Sequence, residues 1–233
     1  MNKKDDIKLK VKASFGDQSL GASIQGDEEV VSKFLSGIVP GFIKNGVGII
    51  NDNVAFWRFK NQVNIIKETE KTIASSGLKK QQVPLKVLYP IFQNASLEED
   101  PNMQKKWANL LANAATGNNE ITPSYGAILN ELSPIEVAIL DKVFDEANSE
   151  ADYQNRKNMQ FSSIKIQEIF GITEKKSDLI IENIFRLNLF QPPADRGFLH
   201  GNFYIALRTT KVFEFTTLGY EFVKACRWDV NKN

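Results

Sequence analysis

The chain of 233 residues has one cysteine, Cys226, and one histidine, His200. A single cysteine excludes an intrachain disulfide and suits a reducing compartment, so the expected location is the cytoplasm. With one residue of each kind, a zinc site built from cysteine and histidine lacks its ligands. A Ser-His-Asp arrangement would rest on His200 alone, in a loop with no nucleophile elbow. Charge of either sign is not in excess: 29 Lys and Arg face 28 Asp and Glu. No net field therefore draws the chain to nucleic acid, an anionic membrane or an acidic substrate. Long hydrophobic runs are missing too. The nearest candidate, residues 34–50 "FLSGIVPGFIKNGVGII", is broken by Pro40 and Lys44, short of the roughly 20 apolar residues that span a bilayer. The start "MNKKDDIKLKVK" carries charges where a signal peptide needs an apolar stretch. Neither a P-loop nor a dinucleotide fingerprint occurs. No cofactor, no metal and no catalytic residue is expected from these absences.

What is present is apolar mass and helical grammar. Hydrophobic residues make up 42% of the chain, with 16 Phe, enough for one core or two. Residues 1–26 read as a β-hairpin extension. Ile7, Leu9, Val11, Ala13 and Phe15 alternate with polar residues, "GDQ" turns, and Leu20, Ala22 and Ile24 alternate on the return. Such a hairpin must pair with something, so it is a candidate assembly element. Residues 27–132 read as a helical bundle. Asp27 is placed as the cap of a helix from Glu28 to Val39. A long helix from Phe42 to Ser75 follows, with Val54, Trp57, Phe59, Val63 and Ile66 on its apolar face. Capping residues followed by proline (Asp100-Pro101, Thr122-Pro123, Ser133-Pro134) announce three further helices. Residues 133–233 read as a winged-helix-like domain: a helix, a helix-turn-helix about Gly171, two strand-like runs "NFYIAL" and "KVFEFT", and a closing helix. The fold class is mainly α.

Two sets of residues are candidate contacts. At about 100° per residue, Asn102, Lys106, Asn109 and Asn113 share one flank of the helix from Pro101 to Thr116, beside the apolar face of Met103, Trp107, Leu110 and Leu111. Amides there either bond the ends of neighbouring helices or line a groove for a ligand or peptide. In the second helix of the helix-turn-helix, Lys175, Lys176 and Arg186, with Arg208 and Lys211 on the wing, are the candidate nucleic-acid contacts. The same helix carries Glu174, Asp178 and Glu182, and residues 133–233 hold 13 Lys and Arg against 14 Asp and Glu. A phosphate reader concentrates positive charge, so the balance favours a protein-contact surface. The acids Glu98, Glu99 and Asp100 sit at a positive helix end, which they stabilise.

Three stretches, "FWRFKNQVNIIKETEKTIASSG", "VPLKVLYPIFQNASLEEDPNMQKKWANLLANAA" and "PSYGAILNELSPIEVAILD", with the ending "TTLGYEFVKAC", resemble the bacterial abortive infection alpha family. The match is strongest from Trp57 to Asp141 and leaves the first fifty residues uncovered. The resemblance implies a cytoplasmic, largely helical bacterial protein of phage defence, and it brings no catalytic motif. Three functions follow as expectations. The first is a non-catalytic defence protein working through protein partners or self-association, a phage component among the candidates. The second is a winged-helix nucleic-acid binder. The third is a membrane-perturbing effector using residues 34–57 without a transmembrane helix.

Overall fold

A computed structural model describes residues 18–38, 53–117, 121–193 and 211–228. Their contacts form two compact units, which part between Ala127 and Ile128 within a short helix, α5 (Ser124–Asn130); Trp228 groups with the first unit.

The first unit is helical. It contains α1 (Gln18–Ile38), α2 (Asn53–Ser76), α3 (Leu85–Ala95) and α4 (Pro101–Thr116). Helix α4 is its centre. Asp100 caps it, accepting from the backbone N–H of Asn102 at 2.9 Å and of Met103 at 3.0 Å, and Pro101 fills the first turn. Gly117 ends it at φ +66°, where a side chain would be strained. Met103, Trp107, Leu110 and Leu111 are buried on one face, and Ala108, Ala112 and Ala115 are fully buried beside them. Alanines let α2 come close: the Thr69 hydroxyl on α2 lies 3.2 Å from the Ala108 carbonyl. Phe59, Val63, Ile66 and Ile73 supply the facing apolar residues of α2. Between α2 and α3 the extended chain is held at two points. Val83 N–H donates to Ile38 O at 2.9 Å, and Gln81 N–H to Ala115 O at 2.6 Å.

One expectation is corrected here. The return strand at Leu20, Ala22 and Ile24 and the cap at Asp27 are replaced by a continuous helix, Gln18–Ile38. Three alternating positions cannot separate a strand from a helix. Once Val31, Phe34 and Ile38 seat the helix, each further turn adds bonds without a new nucleus. Asp27 is then an interior helix residue, and its carboxylate accepts from Lys67 Nζ at 2.7 Å. The first strand of the expected hairpin, the start of the long helix before Asn53 and the run "NFYIAL" lie outside the described residues.

In the second unit the order is α6 (Pro134–Asn148), α7 (Tyr153–Lys157), β1 (Phe161–Ser162), α8 (Ser163–Phe170), α9 (Glu174–Arg186), β2 (Phe190–Gln191), β3 (Val212–Phe215) and α10 (Thr217–Ala225). The strands form an antiparallel sheet in the order β1-β3-β2, with Phe161 opposite Phe213 and Phe190 opposite Phe215. Phenylalanines fill its core: Phe190 stacks on Phe213 at 4.4 Å between ring centroids and meets Phe215 edge-on at 5.1 Å. Gly171 at φ +60° turns α8 into α9, and Thr173 caps α9. On α6, the buried Glu136 carboxylate accepts from Ser133 N–H at 2.6 Å and from Asn183 Nδ2 at 2.7 Å, which ties the start of α6 to α9. Tyr220 on α10 stacks on Phe144 at 4.8 Å, donates its hydroxyl to Asn148, and accepts from Arg156 at 2.8 Å.

Candidate interaction face

Among the predicted basic contacts, Lys211 and Arg186 are held in ion pairs with carboxylates. Lys211 precedes β3 with φ +53°, an uncommon setting for a residue with a side chain. Its carbonyl accepts from Ser163 N–H at 2.8 Å. Its ammonium lies 2.8 Å from Glu174 and 3.3 Å from Asp178, one turn apart on α9. Arg186 closes α9 and donates to Glu131 at 2.6 Å and to the side-chain oxygen of Asn183. Lys175 and Lys176 are exposed at the start of α9 and form no ion pair with a described residue. Arg208 lies outside the described residues.

The outward side of α9 forms a shallow cleft of about 350 Å³ lined by Glu174, Lys175, Asp178, Leu179 and Glu182. Leu179 is 60% exposed in the middle of it. The cleft thus brings together three carboxylates, one lysine and one open leucine. Sequence reading passed over Leu179 and the Lys211 bridge. The signal for the bridge was available as Glu174 and Asp178 at i and i+4; the approach of Lys211 needed the sheet.

Electrostatics match this geometry. The hydrogen bond from Lys211 holds the Glu174 carboxyl below its usual range, and Glu174, with Asp178, raises the Lys211 ammonium above its own. The depressed Glu174 favours the folded state above its ordinary value of 4.5, and that contribution is lost as pH falls through the depressed value. The raised Lys211 favours it below its ordinary value of 10.5, and that contribution is lost as pH climbs through the raised value. Between those limits the bridge is fully charged. A carboxyl-detected NMR titration of Glu174 should therefore give a midpoint below the ordinary glutamate value, and Lys211→Met should return it. A midpoint unmoved by Lys211→Met would show that the two side chains do not pair in solution.

The asparagine flank on α4 divides along its length. Asn102 is exposed and Lys106 half-buried, while Asn109 is 6% exposed and Asn113 is fully buried. Lys106, Asn109 and Asn113 are each engaged by a partner. A cleft of about 410 Å³ does open beside α4, but Asn64, Lys67, Lys71, Gln104 and Lys105 line it, and none of the four predicted residues does. Other amides bond backbone carbonyls at and after the end of α3. Asn61 donates to Ser96 O at 3.1 Å, Gln62 to Phe92 O at 3.3 Å, and Gln104 to Glu98 O at 2.8 Å. Ser96 O and Phe92 O belong to the end of α3, where Phe92 O also accepts from Ser96 N–H at 3.3 Å, and Glu98 O belongs to the turn before α4.

Among the described residues no group of three or more His, Cys, Asp or Glu converges as a metal site. No described helix is long and apolar enough to cross a membrane. No curated protein and no solved structure matches the chain. The family model "Abortive infection alpha" matches residues 58–226, well over half of the chain, from α2 to the end of α10. The chain belongs to the abortive infection alpha family.

Proposed function

We propose that this chain is a non-catalytic abortive-infection defence protein acting through protein contacts. Its second unit would serve as a winged-helix docking module and its first as the scaffold. The element order α6, β1, α8, α9, β2, β3, α10 supports the winged-helix reading. One observation carries the functional reading. Lys211 and Arg186, two of the candidate nucleic-acid contacts, are held by Glu174, Asp178 and Glu131. The open side of α9 is left with carboxylates around Leu179. Lys211 and Arg186 could each neutralise a phosphate only after those pairs broke.

The test has two arms. Gel shifts of the full chain on duplex DNA at low salt, where phosphate attraction peaks, should show no retardation. Affinity capture from phage-infected and uninfected cells should recover an infection-dependent protein that Leu179→Asp loses. Salt-dependent DNA binding abolished by Lys175→Ala and Lys176→Ala would reverse the assignment. The membrane reading has less behind it: Phe34 and Ile38, at the start of its segment, are buried in the first unit.

A further inference from the structure

Helix α3 keeps an exposed apolar ridge that no described residue of its own unit covers. Val87, Leu88, Ile91 and Ala95 face inward. On the outer side, Leu85 is 61% exposed and Tyr89 66%. Gln93 follows four residues later, also exposed. Leu97, 61% exposed, continues the series in the turn that Leu97 N–H closes on Asn94 O at 3.0 Å. Leu85, Tyr89, Gln93 and Leu97 are therefore spaced by four, a single i, i+4 ridge of the kind that packs into the grooves of another helix. Isolated exposed leucines need no explanation. Three large apolar residues on this outer side, with Gln93 between Tyr89 and Leu97, present an apolar strip with one polar break.

Reversed, the order Leu-Tyr-Gln-Leu becomes Leu-Gln-Tyr-Leu, so an antiparallel copy would set leucine against leucine and Tyr89 against Gln93. Charge follows the same pattern. Lys86 stands beside Leu85 at one end and Glu99 just beyond Leu97 at the other, both exposed, and neither forms an ion pair with a described residue. A two-fold axis passing near Ile91 would set Leu85 of each copy against Leu97 of the other. Tyr89 would lie beside Gln93, where hydroxyl and amide can bond. Lys86 would come within reach of Glu99. Self-complementarity of this sort is the requirement for an isologous contact. We propose that the outer ridge of α3 is a homodimer interface, its occupant a second copy of this chain pairing antiparallel through Leu85, Tyr89, Gln93 and Leu97. This deepens the protein-contact reading by naming one partner and its surface.

Sedimentation velocity of the full chain over a range of concentrations tests it. Wild type should show a concentration-dependent dimer. Tyr89→Ala and Leu97→Glu, both at exposed positions, should raise the dimer dissociation constant about tenfold or more, the scale of a central anchor. Lys86→Glu and Glu99→Lys should each weaken the dimer by placing like charges together, and combining them should restore it. A chain that stays monomeric at the highest concentration it tolerates would overturn the proposal, as would a dimer indifferent to these substitutions. A monomer that still captures its infection-dependent partner through Leu179 would remove the dimer and leave the docking module standing.

Discussion

Gly219→Ala is expected to destabilise the second unit by about 3 kcal/mol, the upper part of the overpacking range. A β-carbon at Gly219 would lie 2.0 Å from the Leu189 carbonyl oxygen and 2.7 Å from its carbon. These are backbone atoms, and no rotamer change moves them. Relief would require α10 to lift away from the chain entering β2. That chain is held to α10 by Thr216, whose N–H donates to Leu189 O at 3.0 Å and whose hydroxyl donates to Asn188 O at 2.7 Å. Lifting would also expose Phe222 and Val223, both buried. Urea denaturation followed by circular dichroism checks this. A midpoint equal to that of wild type would mean that α10 does not approach Leu189 so closely.

Trp107→Ala is expected to cost about 3–5 kcal/mol, through lost burial and the cavity left at the centre of the first unit. Trp107 is 1% exposed on α4, among the largest fully buried side chains described. Its indole N–H finds no hydrogen-bond partner among the described residues, and an orphaned buried donor of this kind costs about 1–3 kcal/mol. The contrast with Trp107→Phe is therefore the sharper measurement. Phenylalanine keeps most of the volume and removes the orphan donor, so it should cost far less than alanine. Equal losses for the two variants in a denaturant series would mean that the N–H is satisfied and that the pocket cannot adapt to a smaller ring.

Much of this fold could be read locally. Asp100-Pro101 and Ser133-Pro134 mark helix starts because cap and proline act within one turn. Gly171 and Gly117 mark helix ends for the same reason, since φ near +60° is a property of one residue. The apolar face of α4 followed from its spacing. Two kinds of feature did not. Leu20, Ala22 and Ile24 satisfy a period of two over three positions, but α1 is decided further along, where Phe34 and Ile38 are buried. The strands β1 and β2 have two residues each, too few to show a period, and they exist because β3 lies between them. The candidate sites divide in the same way. The acids of α9 could be counted in the sequence, whereas the hold of Glu174 and Asp178 on Lys211 brings together residues more than thirty positions apart. Likewise the amides bonding the end of α3 come from α2, and helix projection of α4 alone could not find Asn61 or Gln62.

The connecting residues 78–84 have a mechanical meaning. Their amides at Gln81 and Val83 are tied to Ala115 and Ile38, the last turns of two different helices. Those two helix ends therefore share a strap, and drawing either one outward pulls on the other. Tension reaching the first unit through α1 would be delivered to the far end of the tryptophan helix rather than dissipated in a slack connection.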